Sequence, residues 1–351
     1  MSITFTTFGY LEDKLPVKKY TLTNALGASV SILNYGVIIT SILVPDKDGK
    51  LSDVALGFDS LDRYLKNHDC MGDTIGRFAN RIGNGSFQID GQTYQVSQNE
   101  GFNHNHGGFR GFSAHLWDAA IVDEHRIVFH RISPDGEEGF PGALDISVTF
   151  TWTDLCELTI NYTASTNKPT LCNITNHTYF NLAGHDHGTI EDHWLKIDAD
   201  YVLATNRQLI PNGDLIPVAQ TPLDFTESRL IGVGLQQRHT CPSMVGPDGY
   251  DHCYLLRKKD AYGMAATFVH EPTGRILDVF TDYPAMQLFS SCGTNFTNCK
   301  DGATYGKYAA LCFETQFCPD APNHPNFPGS AILRPSETFS KTTVFTFHTK
   351  A

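Results

Sequence analysis

The sequence predicts an all-β protein, and three features of the chain support this prediction. Apolar and polar residues alternate with a period of two, most clearly over 144–152, where every even position carries a large apolar side chain. This alternation is typical of a strand with one buried face. Gly, Pro and Asn separate many short runs, and helical patterns are few and short. A sandwich or a barrel of β-strands is therefore expected.

Local patterns define individual elements in chain order. Segment 60–66 is a candidate short helix, with Ser60 in the N-cap position. Segment 87–96 predicts a hairpin, because the Asp-Gly pair at 90–91 between two alternating runs is typical of a two-residue β-turn. Segment 344–348 predicts the last strand. The chain has no internal repeat and no linker-like stretch, so we expect a single domain over residues 1–351.

Composition disfavours several classes of partner. The 351 residues include 26 Lys and Arg against 38 Asp and Glu, which gives a formal net charge of -12. This balance argues against nucleic acid or an anionic membrane as a partner. No run of about 18 apolar residues is present to span a bilayer. The N-terminal residues also lack the pattern of a secretion signal.

The nine cysteines stand singly, and none belongs to a Cys-x-x-Cys motif. Their odd number and spacing disfavour a disulfide scaffold and a zinc knuckle. Free thiols in the reducing cytoplasm are expected instead.

One carboxylate, Glu314, lies at the end of an apolar run and is followed by four prolines between 319 and 328. Proline fixes φ and lowers the entropy cost of ordering a loop. We therefore expect this loop to hold Glu314 in position. A proline-rich surface loop beside a solvated glutamate is the alternative.

Two further segments contain clustered polar residues. Around Asn80, the residues Arg77 and Arg81 offer donors for hydroxyl groups or an anion, or else form surface ion pairs. In an extended strand His104 and His106 would point to the same face, as a metal pair or a polar ligand contact. A loop histidine without a chemical role is the alternative.

Segment 173–184 places His177 in a polar and aromatic setting that can tune its proton affinity. Tyr179 and Phe180 either stack on the apolar face of a sugar or fill the core, and the core is the better expectation for at least one of them. The sequence His-Asp-His at 185–187 suggests a metal, but no third ligand is nearby in sequence, so we expect none.

The last two candidates each carry one polar group. Asp251 follows a Gly-Tyr pair, an arrangement that either holds vicinal hydroxyls or forms an Asx-turn. Gln287 interrupts the buried apolar run 285–289, so its amide needs a structural or a ligand partner.

Taken in order, these motifs resemble the galactose mutarotase (aldose 1-epimerase) family, from residue 76 to 335. The motifs are Gly-Arg-Phe-Ala-Asn-Arg-Ile at 76–82, His-Gly-Gly at 106–108, Gly-Glu-Glu-Gly-Phe-Pro-Gly at 136–142, Asn-His-Thr-Tyr-Phe-Asn-Leu at 176–182, Gly-Tyr-Asp-His at 249–252, and Glu-Thr-Gln at 314–316 with Pro-Asp-Ala-Pro-Asn-His-Pro at 319–325. The resemblance implies a large twisted antiparallel β-sandwich, a supersandwich with a cleft across one face.

The resemblance also implies roles for the candidate residues. Glu314 would be the base at O1 of the sugar, His177 the acid at the ring oxygen, and His106 a hydrogen-bond partner of the ring or C5 oxygen. The sugar hydroxyls would be oriented by four residues, Asn80, Arg81, Asp251 and Gln287. The reaction needs no metal and no cofactor, and the expected partner is a free monosaccharide bound by a monomer or a homodimer.

The chain departs from the family pattern at two places. Family members commonly have Leu before the His-Gly-Gly motif, where this chain has Asn105. The segment after Gln287 is longer, over 290–295. Both departures bear on sugar preference more than on proton chemistry.

Three alternatives remain open at this stage. A related epimerase for a phosphorylated sugar would add an Arg or Lys cluster at the cleft, and no extra cluster is apparent. A non-catalytic sugar-binding protein would not need both Glu314 and His177. A glycosidase would use two carboxylates, such as Glu314 and Asp251, but would leave His177 without a role.

Overall fold

The structure is a computed structural model that describes residues 1–350. As predicted, it consists mainly of strands. In chain order these are β1 (Ser2–Tyr10), β2 (Pro16–Thr23), β3 (Ser29–Leu33), β4 (Ile39–Pro45), β5 (Leu51–Asp53), β6 (Thr74–Ile75), β7 (Arg81–Ile82), β8 (Ser86–Ile89), β9 (Gln92–Gln95), β10 (His104–Asn105), β11 (Asp118–Ile121), β12 (Arg126–Ser133), β13 (Leu144–Trp152), β14 (Glu157–Thr166), β15 (Thr170–Leu171), β16 (Thr175–Asn176), β17 (Tyr179–Phe180), β18 (Trp194–Ile197), β19 (Ala199–Thr205), β20 (Pro211–Pro217), β21 (Arg229–Leu230), β22 (Asp251–Leu256), β23 (Gly263–His270), β24 (Arg275–Thr281), β25 (Ala285–Phe289), β26 (Leu311–Gln316), β27 (Ile332–Leu333) and β28 (Phe339–Thr349).

Helices are short, as the sequence predicts. The α-helices are α1 (Leu61–Tyr64), α2 (Ile231–Gln236) and α3 (Pro242–Val245). The 3-10 helices are Gly83–Gly85, Phe112–Ala114, Glu137–Gly139, Arg238–Thr240, Lys300–Gly302 and Ala321–Asn323. None of the helices within residues 1–350 has the length and apolar character needed to cross a bilayer.

Three large sheets form the body of the protein. The nine-stranded sheet has the order β11-β12-β13-β14-β28-β24-β23-β18-β21, the six-stranded sheet β17-β26-β25-β22-β19-β20, and the five-stranded sheet β1-β2-β3-β4-β5. Every strand pair in residues 1–350 that forms a ladder is antiparallel. Four separate two-stranded ladders complete the strand pairing, namely β7 with β10, β6 with β16, β8 with β9 and β15 with β27.

The three large sheets share one main apolar core, and two smaller apolar clusters are separate from it. Phe268 of the nine-stranded sheet meets Phe313 of the six-stranded sheet with ring centroids 5.6 Å apart. Tyr20 of the five-stranded sheet contacts Phe129 of the nine-stranded sheet at 5.8 Å. Because each strand turns alternate side chains inward, the facing sheets bury their apolar sides together. The prediction of an all-β sandwich is confirmed.

Most of the predicted elements are present. β13 covers 144–152 and buries every even position, while β8 and β9 form the hairpin about residues 90–91. The last strand is longer than predicted and runs to residue 349. The helix after Ser60 is shorter than predicted, and the Ser60 side chain makes no capping hydrogen bond. The burial of Leu61 and Tyr64 stabilises this single turn instead.

The nine cysteines are all free thiols. Seven are buried, and Cys70 and Cys292 are partly exposed. The absence of disulfides among them agrees with the prediction from their spacing.

Candidate active site

A cavity of about 300 Å³ opens beside the six-stranded sheet. Six of the seven residues predicted from the sequence line it, namely Asn80, Arg81, His106, His177, Asp251 and Glu314. The seventh, Gln287, donates from Nε2 to Oδ1 of Asp251 at 2.5 Å. Residues separated by more than 230 positions in sequence therefore meet at one place.

Strand register places three of these side chains on one face of the sheet. Glu314 in β26 lies directly opposite Gln287 in β25. Gln287 in turn lies opposite Cys253 in β22, two residues after Asp251. Because side chains two positions apart in a strand share a face, Asp251, Gln287 and Glu314 all point the same way.

A strained loop contact positions His106. The φ angles of Asn80 and His106 are 61° and 48°, in the left-handed region. The amide N–H of Asn80 donates to Nδ1 of His106 at 3.2 Å, and the His106 amide donates back to the Asn80 carbonyl at 3.2 Å. At Gly107, also with positive φ, a Cβ would lie 1.9 Å from the carbonyl oxygen of Gly76. Only glycine allows this close approach.

The same contact determines what His106 can do. Its Nδ1 accepts a backbone hydrogen bond, so its proton lies on Nε2 and can be donated. Ligating atoms of His106, His177 and Glu314 lie within 4.8 Å of one another. A metal would need an imidazole lone pair from His106. In this tautomer the free lone pair is on Nδ1, and it already accepts the hydrogen bond from the Asn80 amide. The arrangement therefore favours hydrogen-bond donation by His106 over metal ligation.

His177 is held between backbone and aromatic contacts. Its amide donates to the Asp73 carbonyl at 2.9 Å. Its ring stacks on Tyr179 with centroids 5.1 Å apart and meets Phe289 edge-on at 6.0 Å. Its Nε2 lies 3.4 Å from Oε1 of Glu314. The imidazole is thus fixed beside the carboxylate, while its Nδ1 has no hydrogen-bond partner.

Burial dominates the electrostatics of this pair. Glu314 is only 2% exposed. Burial, followed by the charge of Asp251, raises its pKa well above the usual range, and Arg81 opposes the shift. Burial lowers the pKa of His177 to about 4. Because both charged forms lose hydration, burial favours the uncharged form of the pair, with one proton on Glu314 and a neutral His177.

Arg81 depends on a residue that the sequence analysis did not single out. Glu100 accepts hydrogen bonds from Arg81 Nε at 2.5 Å and from Nη2 at 2.8 Å. Glu100 also lines the cavity. An isolated glutamate in a loop carries no sequence signal, since only the fold places it opposite Arg81. The pairing neutralises the cation and fixes the plane of the guanidinium.

The proline-containing loop contacts Arg81 rather than Glu314. Glu314 lies inside β26, and its ladder with β25 holds its backbone. In the loop, the Asp320 amide donates to the Arg81 carbonyl at 2.7 Å, and Asp320 Oδ1 accepts from the Gly83 amide at 2.9 Å. The loop therefore holds the backbone of Arg81 and Gly83, and the expectation that it holds the Glu314 carboxylate is wrong.

Several candidates from the sequence lie outside the cavity. β10 ends at residue 105, so His104 and His106 do not share a face, and buried His104 contacts Phe140 and the Ser97 carbonyl. Phe180 packs in the core, whereas Tyr179 lines the cavity. In the segment 185–187, the first histidine contacts Tyr305 and the second contacts its neighbouring aspartate.

Arg77 is a structural residue, so neither of the two roles considered for it from the sequence, a ligand donor or a surface ion pair, is correct. It is 2% exposed. Its guanidinium donates to Ser133 Oγ and to the carbonyls of Ser133, Pro134, Pro141 and Gly142. These contacts join the loops that precede and follow the 3-10 helix Glu137–Gly139.

We expect Arg77→Leu to lower the free energy of unfolding by about 3 kcal/mol or more. Each buried carbonyl that loses its donor costs about 1–3 kcal/mol. Urea unfolding monitored by circular dichroism measures the loss. Arg334→Leu, which breaks an exposed pair with Asp90, serves as the control and should change little. An Arg77→Leu protein with normal stability and a raised KM would instead place Arg77 on the substrate.

Comparison with known proteins agrees with the geometry. The family model described as aldose 1-epimerase matches residues 18–346. The chain belongs to the aldose 1-epimerase family. The resemblance seen in the motifs is thereby confirmed, and with it the prediction of an aldose 1-epimerase.

Relatives of this epimerase match along nearly their whole length. It is 40% identical to the galactose mutarotase of Homo sapiens over 99% of this chain and 98% of that protein. It is 34% identical to the aldose 1-epimerase of Escherichia coli K12 over 95% of this chain and 96% of that protein. The crystal structure of a galactose 1-epimerase from Lactobacillus acidophilus aligns with a TM-score of 0.87, 28% identity and full coverage of both chains. A C. elegans GalM/aldose epimerase homologue aligns with a TM-score of 0.87, 29% identity, and coverage of 95% of this chain and 100% of that one.

Proposed function

We propose that this epimerase interconverts the α- and β-anomers of a free hexose such as galactose or glucose. The observation that carries the proposal is the buried pair of Glu314 and His177, 3.4 Å apart, at the wall of one cavity. Relatives named galactose mutarotase support galactose as one substrate.

Ring opening starts from the ionised form of the pair, in which the shared proton has moved from Glu314 to His177 across their 3.4 Å contact. The Glu314 carboxylate then takes the proton of the C1 hydroxyl. The C1–O1 bond becomes a carbonyl while the bond between C1 and the ring oxygen breaks. Protonated His177 delivers its proton to the departing ring oxygen, and His106 Nε2–H stabilises the charge that develops there. Rotation about C1–C2 then presents the other face of the carbonyl.

Ring closure reverses both proton transfers. The C5 hydroxyl attacks C1, His177 takes back the proton, and protonated Glu314 returns one to O1. The pair holds one proton before and after each step, so the reaction needs no exchange with solvent. Burial favours the uncharged form of the pair, which is the form present with the open-chain sugar.

Asp251, Gln287, Asn80 and Arg81 would bind the sugar hydroxyls. Asp251 and Gln287 are connected by their own hydrogen bond, and Gln287 Oε1 is buried without a partner. A buried acceptor of this kind is costly unless a ligand donates to it. The pattern supports recognition of several hydroxyls on one sugar.

A phosphorylated hexose fits the cavity less well. Among the lining residues within 1–350, Arg81 is the one Arg or Lys, and Glu100 already binds two of its nitrogens. A phosphate group would need a cation with free donors. We therefore propose a free monosaccharide as the substrate.

The pair predicts a bell-shaped dependence of kcat/KM on pH. Activity falls near pH 4, where His177 takes up a second proton, and falls again above the raised pKa of Glu314, where the shared proton is lost. The negative charge of Asp251 raises both pKa values. We expect Asp251→Asn to move both limbs of the profile to lower pH.

Initial rates of mutarotation from pH 3.5 to 10, roughly the span over which carboxyl and imidazole groups titrate, give this profile. Asp69→Asn, at another acidic position that lines the cavity, is the matched control and should leave both limbs in place. If Asp251→Asn lowers kcat/KM at every pH but leaves both limbs of the profile at the same pH, then Asp251 does not raise the two pKa values.

The activity is tested by polarimetry of freshly dissolved α-D-galactose and α-D-glucose, with hexose 6-phosphates as competitors. Faster decay of rotation supports the proposal, and the ratio of rates gives the preference. Strong competition by a hexose 6-phosphate, with no acceleration of either free sugar, would contradict it.

We also propose a cytoplasmic location and a single domain in a monomer or a homodimer. The nine free thiols support a reducing compartment. The continuous core shared by the three large sheets supports one domain. A single calorimetric transition would be expected for such a unit.

A further inference from the structure

The site contains an acceptor that none of the proton-transfer or binding roles above uses. Asn105 lines the cavity, one residue before His106 and directly opposite Arg81 in the β7–β10 ladder. Its Oδ1 is buried and has no hydrogen-bond partner.

The surrounding network fixes the orientation of the Asn105 amide. Its Nδ2 donates to Glu100 Oε1 at 3.3 Å. Glu100 is a carboxylate that binds Arg81 and can only accept from an amide. A flipped amide would set Oδ1 against the Glu100 carboxylate, so Nδ2 faces Glu100 and Oδ1 is left as the free acceptor.

The backbone of Asn105 is held equally firmly. Its amide donates to Asn99 Oδ1 at 2.7 Å, and its carbonyl accepts from Asn99 Nδ2 at 2.9 Å. The backbone position of Asn105 is therefore fixed, and its side chain is restrained by the hydrogen bond of Nδ2 to Glu100. A preorganised acceptor costs little additional entropy when a ligand binds to it.

Unpartnered buried atoms cluster at this cavity. Glu314 Oε2, His177 Nδ1 and Gln287 Oε1 share this state with Asn105 Oδ1. Leaving a buried acceptor unpaired costs about 1–3 kcal/mol, and a donor on the ligand recovers that cost. A polyhydroxylated ligand that donates to such an acceptor would therefore gain affinity.

We infer that Asn105 is a specificity-determining residue whose Oδ1 accepts a hydrogen bond from one hydroxyl group of the sugar. The inference rests on the proposed function and deepens it. A sugar that lacks this hydroxyl leaves Oδ1 unpaired and is selected against. A Leu at this position could not make the distinction.

The test pairs Asn105→Leu with a panel of monodeoxy hexoses, assayed by polarimetry for kcat/KM. We expect the variant to lower kcat/KM for the parent hexose by about 5- to 150-fold, the ratio for a hydrogen bond lost with its partner left unpaired. For one deoxy sugar, the one without the contacted hydroxyl, wild type and variant should have equal kcat/KM. Such coupling between one side chain and one hydroxyl is the signature of a direct contact.

Phe289→Leu is the matched control, because Phe289 also lines the cavity but carries no polar atom. It should change kcat/KM for all sugars by a common factor. If Asn105→Leu also changes kcat/KM for all sugars by a common factor, or does not change it, the inference is wrong. The proposed function would still stand in that case, because the wild-type enzyme is active. A wild-type enzyme inactive on every sugar would instead refute the proposed function. Thermal unfolding of each variant shows that it is folded.

Discussion

Glu314→Gln is expected to reduce kcat for mutarotation by about 10²- to 10⁴-fold, the usual contribution of a general base. The substitution keeps the size of the side chain and its place opposite Gln287 but removes the group that accepts the O1 proton. Sugar binding, measured by calorimetric titration, should remain. The carboxylate is buried near Asp251, so the variant should also unfold at a higher temperature.

Glu100→Gln is the control for this experiment. Glu100 lines the same cavity, yet it acts on Arg81 and is 40% exposed at its side chain. Its loss should change KM more than kcat. Full activity of Glu314→Gln would mean that the base at O1 is another residue.

His177→Asn is expected to produce a loss of the same order, because the ring oxygen then leaves without a proton donor. The pair acts as a unit, so the double variant with Glu314→Gln should be little slower than either single variant. Rates with galactose, followed by polarimetry, measure both effects.

His68→Asn is the matched substitution at another histidine that lines the cavity. It should retain most of the wild-type rate. Losses that multiply in the double variant would show that Glu314 and His177 act in separate steps, contrary to the mechanism proposed here.

The sequence predicted the fold well because an antiparallel sandwich is encoded locally. Alternation over 144–152 and the Asp-Gly turn at 90–91 each depend on neighbours in the chain. The end of the helix after Ser60 was predicted less well, since burial of Leu61 and Tyr64 decides its length.

The residues that line the site were also predictable, because motifs carry them. Six of the seven predicted residues line one cavity, and the seventh bonds to Asp251. Partners that depend only on three-dimensional proximity were not predictable. Glu100 has no motif, and the buried structural role of Arg77 cannot be distinguished from ligand binding by residue type.

The same limit applies to the histidines. His104 and His106 are equivalent in an extended strand, and a single left-handed φ at His106 separates a core residue from a site residue. Positive φ at a non-glycine residue is rare and follows from its surroundings. The sequence pattern alone could not indicate it.

The register that places Glu314 opposite Gln287 has a consequence for how the protein can evolve. A carboxylate held by a strand ladder tolerates few changes, because a shift of one residue would turn it to the other face. Asn105 and the segment 290–295 lie outside the ladder of β25 with β26, and Asn105 and Gly293 line the cavity, so exchanges there leave that ladder intact. Mutation can therefore replace one preferred aldose with another while the inherited chemistry is preserved. Lineages that share this scaffold should diverge first at these cavity positions and last along β25 and β26.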